Sequence, residues 1–176
     1  MDLSANYFAL FELPTTFELD RSALDSRYRV LQAEVHPDRF AGSTDAERRR
    51  SMQWATRVNE GYRVLRRPLD RARYLLELQG FDVDAERNTA MDPEFLMEQM
   101  EWREGVMEAR AASDLAALED IHRRLKHTLE ARYDELGELI DQRQAHAEAA
   151  GKVRELMFLE KLLSEVDDAL ADLEDA

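Results

Sequence analysis

His36, Pro37 and Asp38 stand side by side, and no other residues in this chain combine as much potential chemistry in so short a space. An imidazole and a carboxylate this close can act as an acid–base pair. Such a pair needs companions to become an enzyme. The chain has 0 Cys, no Ser in a nucleophile-elbow context and no Gly-rich phosphate loop. Three readings of the tripeptide are open: a small α-helical enzyme using His36 and Asp38, a plain proline turn, or an exposed polar signal read by another protein. The elements on either side decide among them.

Upstream, Leu24, Tyr28, Leu31 and Val35 recur at spacings of four, three and four, which is one face of a helix. Asp20 is a suitable N-cap for that helix. Pro37 biases His36 away from the helical region, so the helix should stop there and expose the tripeptide at a turn. After a short loop, Thr44 and Glu47 fit a capping box. The helix they open runs from about Asp45 to Arg66, with Ala55, Val58, Tyr62 and Leu65 as its apolar face. Pro68 interrupts it, and Leu69–Leu78 should form a further helix closed by Gly80. Two antiparallel helices joined by a loop that opens with His-Pro-Asp resemble a J-domain. That resemblance implies docking on an Hsp-class chaperone ATPase and triggering of its ATP hydrolysis.

The 176 residues suffice for one ordinary domain or two small ones. With 44% hydrophobic residues, 6 Gly, 4 Pro and no sustained period-two alternation, the chain is expected to be all-α. The lack of Cys excludes disulfides and thiolate metal sites. The 4 His are His36, His122, His127 and His146. His122 and His127 lie five apart, a poor spacing for joint ligation, so neither metal nor cofactor is expected. The N-terminus lacks the pattern of a secretory or transit signal. No apolar run approaches the ~18 residues needed to span a membrane. A soluble, cytoplasmic protein without a membrane partner is the expectation.

The formal charge of −14 is unevenly placed: residues 1–80 carry a net +1 and residues 81–176 a net −15. Such asymmetry suggests two modules with different partners. The acidic half argues against nucleic-acid binding, which needs a basic footprint. The run Arg48-Arg49-Arg50 reads as solvated helix surface.

An N-terminal module over residues 1–80 and a linker over 81–91 are expected, followed by a module over 92–176. In the last of these, Asp92-Pro93-Glu94 reads as N-cap, first-turn proline and first-turn acid. The helix should end near Ala112, and Ser113-Asp114 caps the next, which carries Leu115, Leu118, Ile121, Leu125, Leu129, Leu136 and Ile140. The last helix should span about Ala149–Leu173, with Leu156, Leu159, Leu163, Val166 and Leu170 inward. The tail Asp172–Ala176 is expected to fray. Three long amphipathic helices with short connections make an antiparallel bundle. The irregular spacing, with Ser113 and Gly151 interrupting, disfavours an extended coiled coil.

Four stretches resemble the HscB family, the J-protein co-chaperones of iron–sulfur cluster assembly. They are Tyr7-Phe8-Ala9-Leu10-Phe11-Glu12-Leu13-Pro14, Val35-His36-Pro37-Asp38-Arg39-Phe40, Arg66-Arg67-Pro68-Leu69-Asp70-Arg71-Ala72-Arg73-Tyr74-Leu75-Leu76, and Phe95-Leu96-Met97-Glu98-Gln99-Met100-Glu101. The last two separate this family from general J-proteins, which carry Gly/Phe-rich and zinc-binding regions instead. Without Cys, the chain looks like the short bacterial form. The resemblance implies an L-shaped, two-module co-chaperone with no catalysis of its own. It further implies an HscA-type chaperone ATPase as one partner and an IscU-type scaffold protein, on which the cluster is built, as the other. A J-protein serving a different client is the alternative within the class.

The residues carry part of this reading themselves. On a wheel of ~100° per residue centred on Phe95, Trp102 and Val106 fall within about 20°, marking the core side. Leu96, Met97, Met100 and Met107 lie roughly 100–200° away. A helix with a second apolar stripe must bury it or offer it to a partner. Packing on another helix is the alternative to a partner surface. The family's scaffold-binding surface falls on Leu96, Met97, Met100, Glu101, Glu104, Glu108 and Phe158, and an exposed patch is expected there. In the first module, Arg29 sits opposite its helix's apolar stripe, Arg27 flanks it and Arg39 follows the tripeptide. With His36, Pro37 and Asp38 they form the chaperone-binding face that the J-domain resemblance implies. Glu34 departs from the neutral or basic pattern usual there. Gly105 inside a helix costs about 1 kcal/mol relative to Ala, for no reason evident in the sequence.

Overall fold

The computed structural model describes residues 5–40, 42–83 and 92–174, and among these every regular element is a helix, without a strand. The chain divides into two compact units, Met1–Leu78 and Gln79–Ala176.

In the first unit, α1 (Tyr7–Leu10), α2 (Arg21–Val35), α3 (Asp45–Arg66) and α4 (Pro68–Leu78) follow one another, with a 3-10 turn over Pro37–Phe40. Local chemistry sets the boundaries. The Asp20 carboxylate accepts the Ser22 and Ala23 amides and starts α2. At α3, the Thr44 amide donates to Glu47 at 2.9 Å and the Glu47 amide donates back to the Thr44 hydroxyl at 3.3 Å. The hydrogen bonds from Thr44 hold the Glu47 carboxyl below its ordinary pKa. The contribution of this box is therefore full at neutral pH and fades as the pH falls through the lowered value. Gly80 follows α4 with φ +82°, a left-handed stop.

α3 is the hub: α1, α2, α4 and the 3-10 turn all pack on it. Its pairing with α2 is antiparallel. Ser51 Oγ donates to the Val35 carbonyl at 2.7 Å at one end, and Tyr62 donates to Asp25 at 2.9 Å at the other. Between them Tyr28 and Tyr62 stack with centroids 4.0 Å apart. Phe8, Phe11, Leu24, Val58, Leu65 and Leu76 are fully buried, each side chain stabilising the unit by about 1.5–3 kcal/mol. Gly61 lies where α1 crosses α3, and a Cβ there would meet Tyr7 at 2.8 Å and Phe11 at 3.0 Å. Arg71 is buried yet satisfied: it donates to the carbonyls of Phe17 at 2.8 Å and Leu65 at 2.6 Å, with its guanidinium over the Phe17 ring.

The second unit holds α5 (Pro93–Ala111), α6 (Leu115–Gly137) and α7 (His146–Glu174), with a π turn over Glu138–Gln142. All three helices pack on one another. α6 runs antiparallel to both neighbours, through Arg132 to Glu155 and His122 to Asp167 on α7, and through Glu98 to Arg132 on α5. Asp92 caps α5 with Pro93 in the first turn, and Asp114 caps α6.

Several expectations need correction. Leu115 is substantially exposed, because it occupies the first turn of α6. α6 does not run on to Ile140 as an α-helix: it widens at Glu138 into the π turn, where the Arg143 amide donates to the Glu138 carbonyl, and Leu139 is buried as well as Ile140. α7 begins at His146 instead of Ala149. Its buried side takes Leu162 and Ala169, with Leu163 and Leu170 at its edge, because α7 faces two helices and needs a broad face instead of one narrow stripe. The helix persists through Glu174, three residues into the acidic tail. Val83, assigned to the linker, is buried, whereas Phe81 is exposed; linker residues 84–91 lie outside the described residues.

Candidate functional site

Two surfaces, one on each unit, gather the residues singled out by the sequence. On the first, α2 ends at Val35 and His36 is its C-cap, with ψ 127°, the extended conformation a following proline requires. The one-turn helix Pro37–Phe40 then reverses the chain, with the Arg39 amide donating to the His36 carbonyl at 3.1 Å. His36 Nδ1 faces two groups of Asp38: the backbone amide at 3.3 Å and the carboxylate at 3.6 Å. A neutral ring with Nδ1 bare accepts from the amide, whereas a protonated ring faces the carboxylate. The side chains are 54% and 91% exposed. The pair thus stands in solvent, where a protein partner can reach it.

Arg27, Arg29 and Arg39 are all exposed. Arg39 donates to the Ala33 carbonyl at 3.3 Å, folding back over the end of α2 beside the tripeptide. Arg29 contacts Ser26 at 3.4 Å on its own helix. Arg27 is ion-paired with Glu12, at the rim of a groove of about 440 Å³ between α1 and α2 that also borders Val30, Leu31 and Glu34. The sequence reading did not register that Val30 on α2 and Met52 on α3 are exposed apolar side chains. It also missed Ser51, whose buried hydroxyl anchors the last carbonyl of α2 just before His36. A polar residue on the apolar side of α3 was the available signal.

On the second unit, α5 has two apolar faces with different fates. Phe95, Val106 and Ala109 are buried. Leu96, Met97, Met100 and Met107 are 44%, 60%, 71% and 70% exposed. Glu101, Glu104 and Glu108 are exposed on the same helix. A three-helix link accompanies that burial: Arg132 of α6 reaches Glu98 of α5 at 2.9 Å and Glu155 of α7 at 2.8 Å. Lys152 adds a second cation, 3.3 Å from Glu155. Trp102 donates to Glu98 at 3.3 Å and lies half-buried on the core side.

Phe158 differs from expectation. It is largely covered, edge-on to Phe95 with centroids 6.0 Å apart at 89°, and the Arg103 guanidinium lies 5.2 Å from its ring centroid. On the wheel of α7 it lies about 100° from Leu159, off the centre of the buried side, but α5 comes to meet it. Phe158 is a packing residue of the α5–α7 seam with one edge open, not a free member of the apolar patch. Gly105 has space: a Cβ there would meet Ile121 at 3.6 Å, an ordinary contact.

Among the described residues no helix is long and apolar enough to cross a membrane. The family described as the HSCB C-terminal oligomerisation domain matches residues 91–167. The co-chaperone protein HscB homolog of Azoarcus sp. (strain BH72) is 56% identical, with 99% of this chain and 98% of that protein covered. The homolog from Paraburkholderia xenovorans is 52% identical, with 98% of each covered. Among solved structures, chaperone HscB from Vibrio cholerae superposes with a TM-score of 0.85 at 39% identity, covering 96% of this chain and 99% of that one. Human co-chaperone protein HscB gives a TM-score of 0.88 at 29% identity, covering 95% and 83%. An all-helical chain that matches these proteins along nearly its whole length belongs to the HscB family of co-chaperones.

Proposed function

We propose that this co-chaperone delivers an IscU-type scaffold protein to an HscA-type chaperone and stimulates that chaperone's ATPase, promoting assembly or transfer of iron–sulfur clusters in the cytoplasm. It performs no catalysis itself. His36, Pro37 and Asp38, with Arg27, Arg29 and Arg39 around them, engage the ATPase. A basic rim suits a brief, electrostatically steered encounter. Arg27 has a competitor in Glu12, so the partner must exchange that ion pair for its own.

The observation that carries the reading is the second apolar face of α5. Leu96, Met97 and Met100 are held in solvent by a helix whose opposite side is locked into the bundle. Exposed methionines make an adaptable contact surface. Glu101, Glu104 and Glu108 beside them select a partner with a basic margin. Phe158 contributes its open edge. The test is steady-state ATP turnover by the chaperone with this protein alone, the scaffold alone, and both. Stimulation greatest with both supports delivery. Turnover of any substrate by this protein alone, lost in His36→Gln, would favour an enzyme instead.

The description of the matched family names oligomerisation, which favours a second reading of the same face as a contact between two copies. Sedimentation equilibrium of the full chain separates the two: a dimer dissociated by Met97→Glu supports self-association, and a monomer at tens of micromolar rejects it.

A further inference from the structure

The exposed side of α5 carries three of the chain's 7 Met, at 97, 100 and 107, and the chain has 0 Cys. No thiol stands in line to be oxidised before a thioether. Leu would supply similar volume and equal helix propensity without any redox chemistry. Four exposed carboxylates, Glu94, Glu101, Glu104 and Glu108, flank these methionines on α5, and the two arginines beside Met100 and Met107 are engaged with α7, Arg103 over the Phe158 ring and Arg110 3.7 Å from Asp172. A carboxylate accepts hydrogen bonds and donates none.

We propose that Met97, Met100 and Met107 are a reversible oxidation site that switches this face from partner-binding to non-binding, an inference that rests on the scaffold-binding reading above. The oxidant is hydrogen peroxide. Its O–O bond breaks and an S–O bond forms; the sulfur loses two electrons, and the second peroxide oxygen leaves as water. The product is a sulfoxide, a strong acceptor where an apolar side chain stood. The glutamates beside it cannot donate to that new oxygen. A partner shaped for thioethers must then cover an unpaired polar group, which is unfavourable. Reduction by a methionine sulfoxide reductase restores the thioether. The bundle itself is untouched, because these side chains are not part of its core.

The experiment uses the full chain and a purified IscU-type scaffold. The chain is treated with hydrogen peroxide, each methionine is mapped by peptide mass, and scaffold affinity is measured by calorimetry before treatment, after treatment and after sulfoxide reductase. The expected result is one added oxygen at each of Met97, Met100 and Met107, a rise in Kd of at least about tenfold, an unchanged melting curve, and recovery with the reductase. A Met97→Leu, Met100→Leu, Met107→Leu variant, whatever its affinity before treatment, should show no further rise in Kd after peroxide, although its Met52 is still oxidised. Bound scaffold should also protect the three methionines from oxidation relative to exposed Met52. Complete conversion at all three with unchanged Kd overturns the proposal, as does equal loss of affinity in the leucine variant. Failure of the untreated chain to bind scaffold at all would instead remove the underlying reading, and the switch with it.

Discussion

Arg132 of α6 sits 2.9 Å from Glu98 of α5, on the helix that turns Phe95, Val106 and Ala109 into the bundle. The other arm of the guanidinium holds Glu155 at 2.8 Å, so one cation ties the three helices together. The Arg132 and Glu98 side chains are about a quarter exposed, and Glu155 less so. The link therefore lies between a weak surface bridge and a costly buried one. Arg132→Ala removes the cation shared by two carboxylates and leaves Trp102 beside Glu98 and Lys152 beside Glu155. It should lower unfolding free energy by about 1–3 kcal/mol in urea titrations. Adding Glu155→Gln to Arg132→Ala should recover part of that loss, a non-additivity that marks direct coupling.

Two glycines in helix interiors should respond to alanine in opposite directions. Gly61→Ala drives a methyl into Tyr7 and Phe11 where α1 crosses α3. Overpacking of this kind should cost about 1–3 kcal/mol. Gly105→Ala meets only Ile121 at 3.6 Å and removes the backbone penalty of a helical glycine, for a gain of about 0.5–1 kcal/mol. Melting temperatures of the two variants should move apart from the parent. A loss at Gly105 would mean that α5 needs the glycine for a reason other than space.

Features written in local chemistry were legible in advance. Asp20, Thr44 with Glu47, Asp92 with Pro93, and Asp114 all cap the helices they precede, because a cap is a contact between near neighbours in sequence. The two faces of α5 were legible too, since a helical wheel needs only its own helix. Contacts across long sequence separations were not. Nothing near Gly61 announces Tyr7, and nothing near Arg71 announces the Phe17 carbonyl. The same limit misplaced Phe158: its wheel position describes α7 alone, whereas its burial comes from Phe95 on α5.

At the other surface, His36→Gln and Asp38→Asn should leave the first unit folded. Both side chains are at least half exposed, and the contacts between them are long. Surface changes of this sort usually shift stability by less than about 0.5 kcal/mol. Stimulation of the chaperone ATPase should nevertheless vanish at saturating co-chaperone. A contrasting variant is Ser51→Ala, which strips the Val35 carbonyl of a buried donor at 2.7 Å. It should cost about 1–3 kcal/mol. A large drop in melting temperature for His36→Gln, matching that of Ser51→Ala, would make the tripeptide structural.

The α5 face separates binding from stability most cleanly. Leu96, Met97 and Met100 are 44% to 71% exposed. Changing all three to Ala should cost less than about 0.5 kcal/mol of stability per residue. If they anchor the scaffold, affinity should fall by at least about tenfold, since an anchoring side chain contributes 1–2 kcal/mol or more. Phe158→Ala should behave differently, because it removes an edge-to-face partner from buried Phe95 and opens the α5–α7 seam. A loss of about 1–3 kcal/mol is expected there, less than for a fully buried Phe, because one edge is already in water. Any loss of scaffold affinity in that variant must therefore be read against its loss of folding. Urea denaturation and scaffold calorimetry on the two variants give four numbers. Stability lost and binding kept in the triple variant would show that the stripe is packing, and that the scaffold docks elsewhere.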